Sequence, residues 1–206
     1  MPQDVLDPWR AGVAQAITAA GTSVRTVPRA FRSGLFSPGT RNADIGGGRF
    51  DDATALMAAL DVDNIVFDPF NRSAAHNRRA AALLRGGQAA TATVLNVLNV
   101  IACPEARDRA VALAADALGP GGHAYFQVYE GNRSGRPGPT ARGWQENRPL
   151  ATYLDGIAVH FARVGVRGGV VLAAEPRPAP WAAAGRRWRT LEQASAAAAG
   201  LLQAAA

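Results

Sequence analysis

The chain has 206 residues, of which 48% are hydrophobic and 18% charged, and this composition excludes an intrinsically disordered protein. Its net charge is +6 at pH 7, and all 22 basic residues are arginine, a side chain well suited to phosphate and carboxylate partners. The single cysteine, Cys103, excludes an internal disulfide, and no apolar run reaches the roughly 18 residues that a membrane span needs.

The first 40 residues predict one helix and an irregular basic segment. Residues 7–20 have helical spacing between a candidate cap at Asp7 and a stop at Gly21. Residues 22–40 contain several turn signals and form a basic lead-in. The acidic start lacks the long apolar region of a secretory signal, so we expect a cytoplasmic protein without a membrane partner.

From residue 41 the chain alternates between short apolar stretches and segments with helical spacing. Strands are predicted at 41–45, 64–68, 91–98 and 123–129, and helices at 51–60, 74–85 and 104–118. This alternation predicts an α/β fold, with a doubly wound, mostly parallel sheet and right-handed crossovers. We expect the whole chain to form one domain with its core at 41–173.

The segments that follow include one long polar loop. Residues 130–149 are rich in glycine, proline and arginine, and a loop of this length inside a domain is usually functional or disordered. Residues 150–162 predict a helix, and 164–173 predict one strand or two short strands around Gly168-Gly169. The alanine-rich residues 182–206 predict a terminal helix.

A ligand site is indicated where the first two predicted strands end. Gly46, Gly47 and Gly48 follow the first strand, where glycine lets the chain turn tightly and approach a ligand closely. Asp68 ends the next strand, 22 residues after Gly46, and in a parallel sheet it lies beside those glycines. Because a carboxylate there can accept hydrogen bonds from both hydroxyls of a ribose, the arrangement predicts a nucleoside site.

The residue at the start of the first helix bears on which nucleoside binds. Asp51 occupies the third glycine position of the dinucleotide fingerprint G-x-G-x-x-G. An acid there repels a pyrophosphate and tolerates a cationic ligand. The sequence therefore favours the sulfonium cofactor S-adenosylmethionine over NAD, and another nucleotide or a glycine turn without a ligand stay open as alternatives.

Four strings of this sequence resemble motifs of class I S-adenosylmethionine-dependent methyltransferases. NADIGGGRFDD resembles their first motif, FDPFNRS is similar to their acidic second motif, and TVLNVLNVI resembles the segment where the fourth strand leaves the sheet. LGPGGHAYFQVYEG resembles the turn and fifth strand, so the resemblance covers roughly residues 25–173. With GWQENRP, the motifs also resemble methyltransferases of phage genomes and DNA-modification gene neighbourhoods, which implies a nucleic-acid context.

The resemblance implies cofactor-binding roles for residues at these strand ends. The residues expected at the methionine end are Asp44, Gly46 and Gly48, with Gly47 between them. The remaining expectations are Asp68 at the ribose, Pro69 and Phe70 beside the adenine, and Asn96 facing the methyl group.

The sequence indicates less clearly which residues take part in methyl transfer. Asn96 stands in Leu95-Asn96-Val97-Leu98-Asn99, where amino-methylating DNA enzymes of the family have an acid or asparagine, two prolines and an aromatic residue. The Pro-Cys pair of enzymes that attack carbon five of cytosine is also absent. Our catalytic candidates are therefore Asn96, Trp144 and Glu146, and we expect the loop at 130–149 to close over the acceptor. Other candidates in or next to this loop are Tyr129, Glu130, Arg133, Arg142, Gln145, Asn147 and Arg148.

Three functions fit these observations. The arginine excess and the loop favour a nucleic-acid methyltransferase, whereas the short chain without a separate recognition domain favours a small-molecule methyltransferase. The lack of an obvious base favours a non-catalytic S-adenosylmethionine-binding protein. His76, His123 and His160 lack the spacing of metal ligands, so no metal is expected.

Overall fold

The computed structural model describes residues 23–141 and 143–177, which form a central sheet flanked by helices. The strands in these ranges are β1 Thr40–Ile45, β2 Val62–Phe67, β3 Ala89–Leu95, β4 Leu118–Gln127, β5 Gly138–Thr140, β6 Gly143–Gln145, β7 Phe161–Arg167 and β8 Val170–Pro176. The α-helices are α1 Asp52–Ala59, α2 Ala74–Leu84, α3 Pro104–Ala117 and α4 Leu154–Ala158. Single 3₁₀ turns span Arg29–Arg32, Leu98–Val100 and Leu150–Tyr153.

The main sheet has the strand order β2-β1-β3-β4-β8-β7. Strands β1 to β4 pair with one another in parallel, β8 pairs antiparallel with β4, and β7 pairs antiparallel with β8. The chain leaves β1 toward β2 on one side and then crosses to β3 on the other, so the carboxyl end of β1 is a topological switch point. This topology confirms the predicted doubly wound, mostly parallel α/β fold.

The two faces of the sheet are buried in different ways. One face packs against α2 and α3 through apolar side chains that include Leu84, Val111 and Phe126. On the opposite face, Met57 of α1 packs with Phe31 of the lead-in. Beneath α1 the sheet also carries a layer of buried polar residues, namely Asn42, Asp44, Asn64, Thr91 and Thr93. Strand periodicity did not predict this layer, because it distinguishes inward from outward positions only when the inward ones are apolar.

The chain after β4 differs from its prediction in two places. The helix expected over 150–162 is a 3₁₀ turn followed by the short α4, and β7 already begins at Phe161. Gly156, in the middle of α4, is a poor helix former, and the buried Phe161 is the first residue of β7. Of the two alternatives for 164–173, the pair of strands is confirmed, with a turn at Gly168-Gly169 where both residues have positive φ.

The polar segment 130–149 is more ordered than its composition indicates. It contains the hairpin β5–β6, in which Gly138 pairs with Gln145. Gln145 and Glu146 are buried, because their polar atoms find partners on neighbouring segments. The predicted helices at 7–20 and 182–206, and the candidate Arg142, lie outside the described residues. In the described ranges, no helix is long and apolar enough to cross a membrane.

Candidate functional site

A cleft opens at the carboxyl ends of β1, β2 and β3, at the switch point of the sheet. Its empty volume, including the mouth, is about 1440 Å³. A ligand cleft is expected at this place in a doubly wound sheet. The structure brings all the expected cofactor-binding residues to its wall: Asp44, Gly46, Gly47, Gly48, Asp68, Pro69, Phe70 and Asn96.

The glycine loop between β1 and α1 leaves almost no space for side chains. Gly46 and Gly48 have φ values of 78° and 75°, which favour glycine. Gly47 has an ordinary φ, but a Cβ there would lie 2.4 Å from the Asp44 carboxylate and 2.9 Å from Val66. The loop backbone therefore passes directly over Asp44.

Gly47→Ala is expected to deform this loop and to lower the unfolding free energy by about 1–3 kcal/mol, the usual effect of overpacking. The matched control is Gly165→Ala, because a Cβ at Gly165 meets nothing within 4 Å. Urea denaturation of both variants measures the difference. Equal stability of the two variants would mean that the loop yields without strain.

Asp68 holds together the two loops that form the floor of the cleft. Its side chain is 4% exposed and accepts four hydrogen bonds from protein N–H groups. Gly48 N donates at 2.8 Å, Phe70 N and Asn71 N at 2.9 Å, and the Asn71 side-chain amide at 3.1 Å. Because these four donors fill the acceptor positions of the carboxylate, a ribose hydroxyl has to replace one of them. The Asn71 side chain is the replaceable donor, since it alone can rotate away.

The backbone of Asp68 is fixed as well, by a residue that the sequence did not single out. Asn77 of α2 is fully buried, accepts a hydrogen bond from Asp68 N at 2.9 Å and donates to Asp68 O at 2.9 Å. It also donates to Arg72 O at 3.2 Å. From the sequence alone, an asparagine in the first turn of a helix that is buried and holds a neighbouring loop cannot be distinguished from one on the surface.

Asp44 is the second buried carboxylate of the cleft. Its carboxylate accepts a hydrogen bond from Thr93 Oγ1 at 3.0 Å and one from Asn64 Nδ2 at 3.4 Å. Behind these donors, Asn42 Nδ2 donates to Asn64 Oδ1 at 2.7 Å and to Thr93 Oγ1 at 2.9 Å, and Thr91 donates to Asn42 Oδ1 at 2.8 Å. Asn64 Nδ2 also donates to Thr54 Oγ1 at 3.1 Å, whereas the other donors of the network are directed toward Asp44. The network therefore favours the ionised form of the Asp44 carboxyl group.

Burial disfavours the ionised form of Asp44, and its effect on the pKa is larger than that of any other group. It raises the pKa of Asp44 to about 6, and the nearby Asp68 carboxylate also raises the pKa. The hydrogen bonds from Thr93 and Asn64 and the charge of Arg72 lower it again. At neutral pH the cleft therefore holds a desolvated carboxylate, which is suited to an ammonium or sulfonium group.

The acid at the third glycine position is ion-paired, which the sequence could not show. Asp51 Oδ1 lies 2.7 Å from Arg72 Nη2. The same guanidinium donates to Gly48 O at 2.6 Å and to Phe50 O at 3.1 Å. Asp51 thus helps to hold Arg72 against the glycine loop, and its repulsion of a pyrophosphate is weaker than that of a lone carboxylate.

Two parts of the cleft wall were missed by sequence reasoning. One is the lead-in, where Ser23 Oγ accepts a hydrogen bond from Arg49 N at 3.3 Å and the Arg25 guanidinium lies 4.6 Å from the centre of the Phe50 ring. The other is one face of α3, formed by Ala106, Arg109, Ala110 and Leu113. Their i, i+3, i+4, i+7 spacing was visible in the sequence, but that spacing also fits a core-facing stripe.

Asn96 is at the cleft wall, directly after β3. It adopts a left-handed conformation with φ of 59°, which asparagine tolerates better than most residues, and its N–H donates to Gln127 O at 2.7 Å. The side-chain atom Oδ1 is buried without a hydrogen-bond partner. A buried acceptor without a partner beside an open cleft is a candidate contact for a ligand.

The structure places Trp144 and Glu146 away from the cleft wall. Glu146 is 1% exposed and lies 3.2 Å from both Arg107 and Arg148, while Trp144 Nε1 donates to Glu146 Oε1 at 2.8 Å. Since Arg107 belongs to α3, this buried carboxylate anchors the end of the 130–149 segment to that helix.

The remaining candidates of the segment are engaged in local contacts. Glu130 accepts a hydrogen bond from Leu150 N at 2.7 Å and pairs with Arg133. Asn147 donates to Arg136 O at 3.0 Å, and Gln145 donates to Tyr129 O at 2.7 Å. These contacts link the two ends of the segment, while residues 132–137 and 139–141 between them are exposed.

The three histidines lie on different parts of the fold, with His76 in α2, His123 in β4 and His160 directly before β7. His76 Nε2 is 2.9 Å from Val66 O, His160 Nε2 is 2.7 Å from the Asp108 carboxylate, and His123 is exposed on β4. Among residues 23–141 and 143–177, no group of three or more histidine, cysteine, aspartate or glutamate side chains is arranged to hold a metal ion.

Comparison of the sequence with protein-family models and with curated proteins finds no match. Solved structures are similar in fold. One is the 1,6-didemethyltoxoflavin-N1-methyltransferase of Burkholderia thailandensis with bound 1,6-didemethyltoxoflavin and S-adenosylhomocysteine, at 19% identity and a TM-score of 0.51, covering 84% of this chain and 86% of that one. Another is an S-adenosylmethionine-dependent methyltransferase of Mesorhizobium loti, at 17% identity and a TM-score of 0.47, covering 72% and 96%. The likeness to the first structure shows that this chain has the Rossmann-like methyltransferase fold.

Proposed function

We propose that this chain is an S-adenosylmethionine-dependent methyltransferase. The observation that carries the proposal is the cleft itself, in which a glycine loop without space for side chains passes over a buried carboxylate at the switch point of the sheet. The similar Burkholderia structure contains the demethylated cofactor, and this supports the choice of ligand. The residues present fit such a cofactor, because the cleft offers an anionic end at Asp44 and an apolar surface at Phe70.

Each part of the cleft has a distinct task in this proposal. Asp44 would hold the cationic methionine end, Asp68 would accept from the ribose once the Asn71 amide moves aside, and Phe70 would pack on the adenine. When bound, the cofactor supplies an electrophilic methyl group. The chain needs mainly to align the acceptor in line with that group and to exclude water. Asn96 lies on the wall where its free Oδ1 can orient the acceptor.

Titration calorimetry with S-adenosylmethionine and S-adenosylhomocysteine tests the binding. We expect one ligand per chain in both cases. Incubation with methyl-labelled cofactor against DNA, RNA and a metabolite extract then shows where the label goes. Binding without transfer to any of these would favour the non-catalytic alternative, and the absence of binding at about 1 mM ligand would contradict the proposal.

The acceptor that we favour is a small molecule. Three arginines of α3 and of the 130–149 segment, Arg107, Arg133 and Arg148, are paired with carboxylates, and Trp144 is held by a hydrogen bond, so these side chains are engaged within the fold. Nucleic acid is the second candidate, supported by the net charge of +6 and by the sequence resemblance to methyltransferases of DNA-modification neighbourhoods.

Salt dependence separates the two acceptors. For a small molecule, we expect little binding of duplex DNA or RNA at low salt and only a weak change in affinity as salt rises. Binding through several phosphates would instead weaken steeply, with a linear fall of log affinity against log salt. A steep slope in a filter-binding titration between about 50 and 200 mM salt would therefore establish nucleic acid as the partner.

A further inference from the structure

Arg72 is an arginine beside the cleft whose role the proposed cofactor contacts do not explain. It lies between β2 and α2, and its side chain is only 13% exposed. Burial of a guanidinium costs free energy unless its donors find partners, so a charge kept at such a place indicates a specific role. The backbone of Arg72 is fixed as well, because its N–H donates to Asp68 O at 3.1 Å and its carbonyl oxygen accepts a hydrogen bond from Asn77 Nδ2 at 3.2 Å.

The guanidinium of Arg72 holds the turn that leads from the glycine loop into α1. Arg72 Nε donates to Gly48 O at 2.6 Å, and Nη2 donates to Phe50 O at 3.1 Å. Nη2 also lies 2.7 Å from Asp51 Oδ1, at the residue before α1. One planar group with several donors thus binds three of the four residues 48–51, which a point charge such as an ammonium cannot do in the same geometry.

Gly48 is held at both of its backbone polar groups by the segment after β2. Its N–H donates to Asp68 Oδ2 at 2.8 Å, and its carbonyl oxygen accepts from Arg72. Its φ of 75° favours glycine, so no side chain packs there to fix the conformation. The shape of the glycine loop at this residue therefore depends on the Asp68 carboxylate and the Arg72 guanidinium together.

Arg72 also places a positive charge near the buried carboxylates. The groups that act on Asp44 are Thr93 from β3, Asn64 from β2, and Asp68 and Arg72 from the segment that follows β2. The Asp68 carboxylate raises the pKa of Asp44 through charge repulsion, and the Arg72 guanidinium lowers this pKa. Arg72 therefore offsets part of the repulsion between the two carboxylates and favours the ionised form of Asp44.

We infer that Arg72 is a positioning residue for the cofactor, which fixes the glycine loop through Gly48 and Phe50 and keeps a positive charge near Asp44. These three residues line the cleft, whereas Arg72 is not among the described residues that line it. Arg72 thus acts on the ligand through the groups that it holds. The inference rests on the proposed function, because it specifies how the proposed cofactor site is kept in its binding conformation.

Calorimetry with S-adenosylhomocysteine from about pH 5 to about pH 8.5 tests the role of Arg72 in binding. Arg72→Met removes the donors and the charge, and we expect affinity at about pH 8 to fall about tenfold or more. The pH at which affinity is half lost should also move upward, because Asp44 without the nearby cation holds its proton more tightly. Arg72→Lys keeps the charge but not the planar fork, so we expect weaker binding with a midpoint close to that of the parent protein. A residue that only stabilised the fold would not move this midpoint.

Hydrogen exchange of the ligand-free protein tests the loop itself. The Gly48 N–H is hydrogen-bonded to Asp68, so its exchange in the parent protein should be slower than in an open loop. We expect amides 46–50 to exchange about tenfold faster or more in Arg72→Met, and Arg72→Lys to restore part of the protection. Failure of the parent protein to bind S-adenosylhomocysteine overturns the proposed function, whereas the exchange measurement, which requires no ligand, still decides whether Arg72 fixes the loop.

Arg41→Met is the matched control. Arg41 Nε lies 3.2 Å from the Asp63 carboxylate, and Arg41 Nη1 donates to a backbone carbonyl oxygen, that of Leu83, at 3.4 Å. This arginine is the second residue of β1, at the opposite end of the strand from the glycine loop. We expect the control variant to leave the affinity, the pH midpoint and the exchange of amides 46–50 unchanged.

Any one of three results for Arg72→Met overturns the inference: parent affinity, an unmoved pH midpoint, or parent exchange rates at amides 46–50. If this variant does not fold or binds too weakly to titrate, Arg72→Lys decides. Parent affinity together with parent exchange rates in Arg72→Lys would overturn the inference, whereas weaker binding with faster loop exchange would support it.

Discussion

Asp68→Ala is expected to lower the free energy of unfolding by about 3 kcal/mol and to weaken cofactor binding by at least about 100-fold. Hydrogen bonds to a charged group contribute about 1.5–3 kcal/mol each, and removal of the carboxylate leaves Gly48 N, Phe70 N and Asn71 N without their acceptor. The loss is smaller than the sum of these bonds, because the loops relax and water reaches part of them. The binding loss follows because the same carboxylate shapes the floor of the cleft.

The measurements are urea denaturation for stability and calorimetry with S-adenosylhomocysteine for binding. Asn71→Ala is the matched variant, because it frees one acceptor position of Asp68 without removing the carboxylate. We expect it to leave affinity unchanged or slightly higher, since the ribose no longer has to displace the amide. Asp68→Asn keeps the volume and one acceptor oxygen, so it should fold even if the alanine variant does not. A stable Asp68→Ala protein with unchanged affinity would show that the carboxylate neither organises the loops nor contacts the ligand.

Asp44→Asn is expected to stabilise the protein at neutral pH while it weakens cofactor binding. The pKa of this carboxyl group is about 6 in the fold and 3.8 in a solvated reference, so the folded state holds its proton more tightly. Ionisation therefore destabilises the fold as pH rises from about 4 to about 6, and the full penalty of about 3 kcal/mol is present above pH 6. An asparagine avoids that penalty, although its amide group would face the donor of Asn64 and reduce the gain.

The pH dependence of both properties provides the test. We expect the stability difference between Asp44→Asn and the parent protein to be largest near pH 7.5 and to vanish near pH 4, where Asp44 is protonated. Cofactor affinity of the parent should fall below pH 6, and the variant should bind about 10-fold or more weakly at pH 7.5 because a charge-assisted contact is lost. If the variant binds as tightly as the parent, Asp44 does not contact the cationic end of the ligand.

Thr93→Val tests the hydrogen bond that Thr93 donates to Asp44 while the charge of Asp44 is kept. The substitution keeps the carboxylate and the side-chain shape but removes the hydrogen bond from Thr93 Oγ1 at 3.0 Å. Since that bond lowers the pKa of Asp44, the midpoint of the pH-dependent loss of affinity should move to higher pH. An unmoved midpoint would mean that the polar layer beneath α1 only packs the sheet.

Local patterns were enough to predict the elements and the centre of the site. The alternation of apolar and helical segments from residue 41 onward depends on contacts within a few residues, so the order of strands and helices could be predicted from the sequence. The glycine run after β1 and the acid after β2 lie at strand ends, and parallel topology alone brings them to the same edge. These two features explain why the residues from Asp44 to Phe70 were placed in one cleft.

What the side chains in that cleft do was decided only by the tertiary structure. The network around Asp44 joins Asn42 to Thr93 across 51 positions, and the bond between Asn99 and Gln145 spans 46. Such pairs depend on strand register and loop packing, which no periodicity in a single sequence encodes. For the same reason Glu146 looked like a catalytic candidate, because only its burial between Arg107 and Arg148 distinguishes an anchoring carboxylate from an exposed one. Asp68 has the position that the sequence predicted, but its filled acceptor positions come from backbone amides that approach it only in the folded chain.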